Sequence, residues 1–136
     1  MLTSVYFMAS HPSLFGALLN GGQLCLFDVK KHSANQAIEW IINERITVFR
    51  STPSIFRAIF SAIPGQTKLS EIRFITLGGE PISGSDIDLF KNHTSANCVL
   101  INNYSASEAG SICHYPLTHS LPEFTGFLPA GYPAPG

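Results

Sequence analysis

The chain has 136 residues, enough to bury one core but short for an enzyme that must enclose two substrates. It is 45% hydrophobic and only 12% charged, so much of its surface is apolar unless neighbouring segments cover it, which is the composition of a fragment. Eight basic residues against nine acidic ones leave no basic stripe for a nucleic-acid backbone, and nucleic acid is set aside as a partner.

In chain order, residues 5–10 form a short extended run ending at His11-Pro12, where the proline suits a first helical turn. Leu14, Phe15, Leu18 and Leu19 then recur at helical spacing until Asn20-Gly21-Gly22 stops the helix. Residues 24–27 read as a buried strand. Ser33 is an N-cap for a helix with Ala37, Ile38, Ile41 and Ile42 on one face and Trp40 beside them. Residues 46–49 make a β-branched strand, and Ser51-Thr52-Pro53 starts a helix through Ile55, Phe56, Ile59 and Phe60 that ends at Pro64-Gly65. A strand over 73–77 breaks at Gly78-Gly79, a pair free to adopt positive φ and to let a ligand approach the backbone. Glu80-Pro81 and Ser83 open a helix through Ile87, Leu89 and Phe90, and residues 98–101 form a fourth strand.

Four strands separated by helical patterns predict an α/β fold: a doubly wound, mostly parallel sheet with helices on both faces. Residues 112–117 suit one more strand. The predicted organisation is an α/β subdomain over 1–117 and a Pro/Gly-rich loop over 118–136 that leads toward a further part of the protein. Cys25, Cys98 and Cys113 are odd in number, far apart and set in apolar runs, as buried free thiols of a reducing compartment would be. No apolar run reaches membrane-spanning length, because Gly21-Gly22, Asp28 and Lys30-Lys31 interrupt the richest region. The first residues lack the order of a signal peptide, so a cytoplasmic protein is expected.

The stretch 102–110, Asn-Asn-Tyr-Ser-Ala-Ser-Glu-Ala-Gly, carries the densest chemistry. It follows a strand, and open α/β sheets place ligands at the carboxyl ends of their strands. Tyr104 offers a face for a flat ring, Ser105 and Ser107 offer hydroxyls for phosphate oxygens, and an ionised Glu108 suits a hard cation such as magnesium. The same residues also suit a core aromatic, two turn serines and a first-turn helix acid, so the stretch alone leaves both readings open. A lone Asp28 does not make the acidic cluster of a phosphate-accepting domain. No Gly-x-Ser-x-Gly elbow supports serine hydrolysis. Cys113, His114 and His119 fit no standard zinc spacing. His11 stands at a helix start, next to the segment that would meet a substrate.

Three segments in this order resemble the adenylate-forming superfamily of acyl-CoA synthetases, aryl-acid ligases and nonribosomal peptide synthetase adenylation domains. Phe7-Met8-Ala9-Ser10, with Phe15, Ala17-Leu18-Leu19 and Gly21-Gly22, resembles the family's aromatic-aspartate-x-serine segment and the turn after its helix. Leu77-Gly78-Gly79-Glu80 resembles its strand-Gly-Gly-Glu turn. Residues 102–108 resemble an Asn-x-Tyr-Gly-Pro-Thr-Glu motif, and Gly131-Tyr132-Pro133 the Gly-Arg/Tyr-Pro that follows it. The resemblance runs over nearly the whole chain, and the third motif is its specific part.

The resemblance implies attack of a carboxylic acid on the α-phosphorus of ATP, giving acyl-adenylate and pyrophosphate, then transfer to the thiol of coenzyme A or of a carrier-protein phosphopantetheine. It implies ATP/AMP contacts at Gly78, Gly79, Glu80, Asn103, Tyr104 and Ser105, catalytic roles for Ser107 and Glu108, and magnesium on Glu108. The acyl-pocket positions it implies are Met8, Ala9, Pro12, Arg50, Ile75, Leu77, Asn103, Ser111 and Ile112. Ser105-Ala106-Ser107 replaces the usual Gly-Pro-Thr but keeps the final hydroxyl. Met8 stands where amino-acid-activating members have an aspartate, and a thioether cannot neutralise an α-ammonium, so a free α-amino acid is a poor substrate. The family's phosphate loop would precede Met1, and its ribose-binding Thr-Gly-Asp and catalytic lysine would follow Gly136. The expected object is therefore a piece of the large amino-terminal domain that is inactive alone and works with the remainder of the parent enzyme. The rival reading is a non-catalytic, flavodoxin-like binding or interaction domain.

Overall fold

The computed structural model describes residues 1–2, 10–120 and 124–134. Met8, Ala9 and the extended run before Ser10 lie outside them.

The helices start where the sequence supplies caps. Helix α1, His11–Leu18, carries Pro12 in its first turn and is followed by Gly21 at φ +69°. None of its residues is buried, and Phe15, Leu18 and Leu19 stand open to solvent. Helix α2, Ala34–Asn43, begins with a capping box in which Ser33 and Gln36 satisfy each other's backbone N–H groups. It buries Ala37, Ile38 and Ile41, while Ile42, expected on that face, turns outward. Strand β1, Val48–Ser51, leads through the N-cap Thr52 into helix α3, Pro53–Phe60. Strand β2, Phe74–Gly78, precedes helix α4, Gly84–His93. Strands β3, Val99–Ala106, and β4, Gly110–Leu117, form a hairpin, and β5, Tyr132–Pro133, completes the sheet.

The five strands lie in the order β1-β2-β3-β4-β5, parallel from β1 to β3 and antiparallel from β3 to β5. The fold is α/β, and its parallel part is built by the two crossovers through α3 and α4. Helices α2, α3 and α4 pack in one row, and α3 rests on β2. Phe56, Phe60, Phe90, Ile72, Ile75, Leu77, Ile82 and Leu100 are fully buried between helices and sheet. Each such side chain contributes about 1.5–3 kcal/mol of transfer free energy, so this interface dominates stability.

One charge pair crosses the helical layer. Arg57 on α3 donates through Nε to Asp86 Oδ1 at 2.7 Å, and Asp86 is fully buried at the start of α4. The other carboxylate oxygen accepts from the backbone N–H and the hydroxyl of Ser83, both at 2.8 Å. Every lone pair of the buried carboxylate that matters is thus engaged, which is the condition for tolerating a charge there.

Two sequence expectations need correction. Among the described residues, 24–27 join none of strands β1–β5; their backbone meets Met1 instead, Phe27 donating its N–H to Met1 O at 3.2 Å and Cys25 O accepting from the Met1 amine, while Leu26 is exposed and Phe27 packs on the rings of His32 and Trp40. The loop expected at 102–110 is mostly strand: β3 continues to Ala106, and only residues 107–109 turn before β4. Asn102 to Ala106 are polar or small because β3 runs past the end of the hydrophobic layer, not because the chain has left the sheet.

The tail folds back on this unit. Leu128 is buried and donates its N–H to Ile82 O at 2.9 Å, Pro129 O accepts from Asn102 Nδ2 at 2.8 Å, and Ala134 N–H bonds Ile112 O at 2.8 Å. Gly131, at φ +98°, lies so close to the His114 carbonyl that no side chain would fit.

Candidate functional site

The ladder register decides which side chains share a face. Arg50 lies opposite Thr76, and Gly78 opposite Asn103. Because side chains alternate along a strand, Arg50, Thr76, Gly78 and Asn103 belong to the face turned away from Phe49, Ile75, Leu77 and Leu100. At the carboxyl ends of β1–β3 this face opens into a crevice of about 300 Å³. His11 and Pro12 of α1 close one side, and Arg50, Ser51 and Thr52 line it from β1. Thr76, Gly78 and Gly79 line it from β2, and Asn103, Ser105, Ala106, Ser107, Gly110 and Ser111 from the hairpin. A crevice at this place in an open sheet is the position where the loops after parallel strands meet.

Two glycines shape its floor. A Cβ on Gly78 would sit 2.6 Å from Asn103 O, so β2 and β3 approach as closely as they do only because residue 78 has none. Gly79 has φ +85°, a conformation that costs other residues strain, and it turns the chain out of β2 into Glu80. The Glu80 carboxylate then accepts from the backbone N–H of Ser54 at 2.9 Å and from its hydroxyl at 2.7 Å, at the N-terminus of α3. A carboxylate is favoured there by the helix dipole.

Two groups in the crevice are conspicuous for what they lack. Asn103 is buried, and its Oδ1 has no hydrogen-bond partner among the described residues. Leaving such an acceptor unsatisfied costs about 1–3 kcal/mol, which a ligand donor would recover. Arg50 is half-buried, and burial pushes its guanidinium down from its ordinary value. Among the described residues no carboxylate lies within ion-pairing distance of it.

Of the residues the sequence singled out, Pro12, Arg50, Gly78, Gly79, Asn103, Ser105, Ser107 and Ser111 meet in this one crevice. Others are elsewhere. Ile75 and Leu77, expected on the acyl-pocket wall, are fully buried against the helices, since alternation puts them on the opposite face from Thr76 and Gly78. Glu80, expected along a nucleotide base, is engaged by Ser54. Tyr104, 56% exposed, stands beside the crevice without lining it, at the point where the β3–β4 register shifts. Glu108 is exposed on the hairpin turn and Ile112 is exposed on β4.

The residue that sequence reasoning passed over is Thr76. It sits in an apolar run, and the signal available was its spacing: two before Gly78 in a strand, hence on the same face. The cysteine-histidine group near the chain's end has structural partners. His119 Nε2 meets Thr94 Oγ1 at 2.9 Å with its ring on Phe90, and His114 pairs with Tyr132 across β4–β5. Among the described residues no three His, Cys, Asp or Glu side chains converge as a metal site. No helix among them is long and apolar enough to cross a membrane.

A family model described as AMP-binding enzyme matches residues 1–136. Syringomycin synthase SyrB1 of Pseudomonas syringae pv. syringae is 34% identical over 112 residues, covering 80% of this chain and 18% of the synthase. Bacitracin synthase 3 of Bacillus licheniformis is 34% identical over 113 residues, 79% of this chain and 2% of that protein. The chain thus spans less than a fifth of the length of these relatives. Among solved structures, the nonribosomal peptide synthetase FmoA3 superposes with TM-score 0.83 at 18% identity, over 97% of this chain and 14% of that one. The NpsA N-terminal subdomain of Klebsiella oxytoca, in complex with 3-hydroxybenzoyl-AMSN, gives TM-score 0.72 at 16% identity, over 98% of this chain and 34% of that one. Both share the fold.

Proposed function

Because this chain belongs to the AMP-binding enzyme family, we propose that its crevice holds the acyl-adenylate of a carboxylic-acid-activating ligase. The whole protein would join an organic acid to AMP with release of pyrophosphate and pass the acyl group to a thiol, of coenzyme A or of a carrier-protein phosphopantetheine. The observation that carries this reading is the orphaned Asn103 Oδ1, buried beside a diglycine floor. An adenine ring lying over Gly78 and Gly79 brings an exocyclic amine, a planar donor of the kind this oxygen lacks.

The neighbouring residues suit the rest of a nucleotide. Ser105 and Ser107 line the crevice and bring hydroxyls that can donate to phosphate oxygens, and Tyr104, exposed beside it, would have to turn its ring to reach the base. Glu108, exposed on the turn two residues from Gly110, is one carboxylate, which is what magnesium takes from a protein when phosphates and waters fill its other positions. Bound there, the ion neutralises the charge gathered on the phosphates. The chain's own part is positioning: it fixes the adenylate's base, orients the phosphates by hydroxyls and backbone, and leaves bond-making to the two substrates.

The acid enters between α1 and β1–β2, along Pro12, Arg50, Thr76 and Ser111. Met8 argues against a free α-amino acid, whose ammonium would be left without a counter-charge. Residues 1–117 act as an α/β subdomain of the adenylation domain and 118–136 as its link to the remaining parts of a cytoplasmic enzyme. By itself the chain binds nucleotide weakly and does not turn over. The test is a thermal-shift titration of the chain with AMP and with magnesium-ATP. Saturable protection that weakens in Asn103→Leu supports the reading. No protection by either nucleotide overturns it in favour of a non-catalytic binding domain.

A further inference from the structure

The adenylate reading places the nucleotide at the hairpin end of the crevice and the acid along Arg50, without saying what that cation meets. A surface arginine that merely snorkels keeps its head in water, and burial then costs nothing. Arg50 is different: its guanidinium is half-buried in the crevice wall and depressed by desolvation. No hydrogen bond or ion pair reaches it among the described residues. The acids nearest its outer side lie in the groove along Ile46–Arg50 rather than in the crevice, and of them Glu71 is engaged by Arg45 at 3.4 Å. Among the described residues lining the crevice there is no aspartate or glutamate, and the titratable group besides Arg50 is His11 at the mouth. Thr76, opposite Arg50 in the ladder, places a hydroxyl on the same face.

Distance says which part of a ligand this cation meets. Arg50 is on β1 and Asn103 on β3, with β2 between them, and Asn103 lies two residues further along the ladder, so the two are about 12 Å apart. An acid whose reacting carboxyl is joined to AMP at the hairpin end reaches Arg50 only with its opposite end. A plain alkyl or aryl tail there would bury the guanidinium further with nothing to offset the charge, which is expensive.

Resting on the adenylate reading, we propose that the acid activated at this site is a small dicarboxylic acid, whose second carboxylate pairs with Arg50 and accepts a hydrogen bond from Thr76. Arg50 is then the specificity-determining residue. A guanidinium fork matches a carboxylate with two parallel N–H···O bonds, and Pro12 of α1 limits the length of chain that fits between.

Two nonhydrolysable acyl-sulfamoyl-adenosine analogues, one succinyl and one butanoyl, separate this from its premise when titrated into the chain by calorimetry alongside AMP. They differ only in the terminal carboxylate. The succinyl analogue is expected to bind at least about tenfold more tightly than the butanoyl one, a charge-assisted bidentate pair being worth that much when partly desolvated. In Arg50→Met the ratio falls to about one, and in Arg50→Lys, which keeps the charge but loses the fork, it lies between. A far-ultraviolet melt of each variant confirms that it is folded. Equal affinity for the two analogues, with AMP bound, overturns the dicarboxylate while the adenylate reading stands. If neither analogue nor AMP binds, the adenylate reading fails and this inference falls with it.

Discussion

The two faces of the same three parallel strands are built on opposite terms. On one, Phe49, Ile75, Leu77 and Leu100 are at most 2% exposed, and the buried carboxylate packed above them, Asp86, has its donors in place. On the other, Val48 and Phe74 are 53% and 42% exposed, and among the described residues Arg50 has no counter-charge and Asn103 Oδ1 no donor. Alternation along β1–β3 makes this division residue by residue, with no change of element. A face that satisfies its own groups is finished as structure; one that leaves a cation and an acceptor open toward a crevice is arranged for something that is not part of the chain.

The contrast can be broken most severely at Asp86. Asp86→Ala removes the acceptor of Arg57 Nε and of the Ser83 N–H at the α3–α4 contact, and about 1.5–3 kcal/mol of stability should be lost, measured by urea denaturation. The opposite sign is expected on the other face. Asn103→Leu removes an unsatisfied buried acceptor, so the fold should gain about 1 kcal/mol while AMP protection is lost. A loss of stability there would mean that Asn103 is a structural residue and that the faces do not differ in the way described.

The smallest effect lies at the edge of the packed face. Burial lowers the pKa of His119, with Lys68 and Lys91 adding to the shift, so the folded chain holds the imidazole neutral at a pH where the unfolded chain protonates it. The unfolded state then binds more protons, and stability falls as pH drops through the ordinary value near 6.5. The melting temperature should decline between neutral pH and about 5.5, and His119→Gln should flatten that slope. An unchanged slope would show that the histidine does not titrate differently on folding.

The helices were legible because their signals are local: Ser33, Thr52 and Ser83 sit where caps must sit, and the apolar spacing after each chooses the packed face. That residues 24–27 join none of strands β1–β5 among the described residues was not legible, because an apolar run says nothing about which backbone lies beside it. The hairpin was read as a loop since its polar residues face a crevice, and period-two polarity beside a cavity looks like a turn until the pairing is known. Eight of the residues singled out in the sequence line one crevice, but the face each strand residue takes was not legible. Ile75 and Leu77 were taken for wall and Thr76 was missed, a shift of one residue that amounts to a change of face. Glu80 illustrates a different loss: nothing in sequence reveals that Ser54, 26 residues earlier, competes for its carboxylate.

The register shift between Tyr104 and Ser105 carries a consequence for how this hairpin can vary. An extra residue on one arm has already been absorbed there, so the strand's two sides exchange partners partway along. The extra residue lies on β4, between Cys113 and Ser111, so β3 keeps its alternation through Ser105 while β4 changes face on passing Ile112. Deleting Ile112 would therefore straighten β4 and turn Ser111 away from the cleft while leaving Ser105 in place.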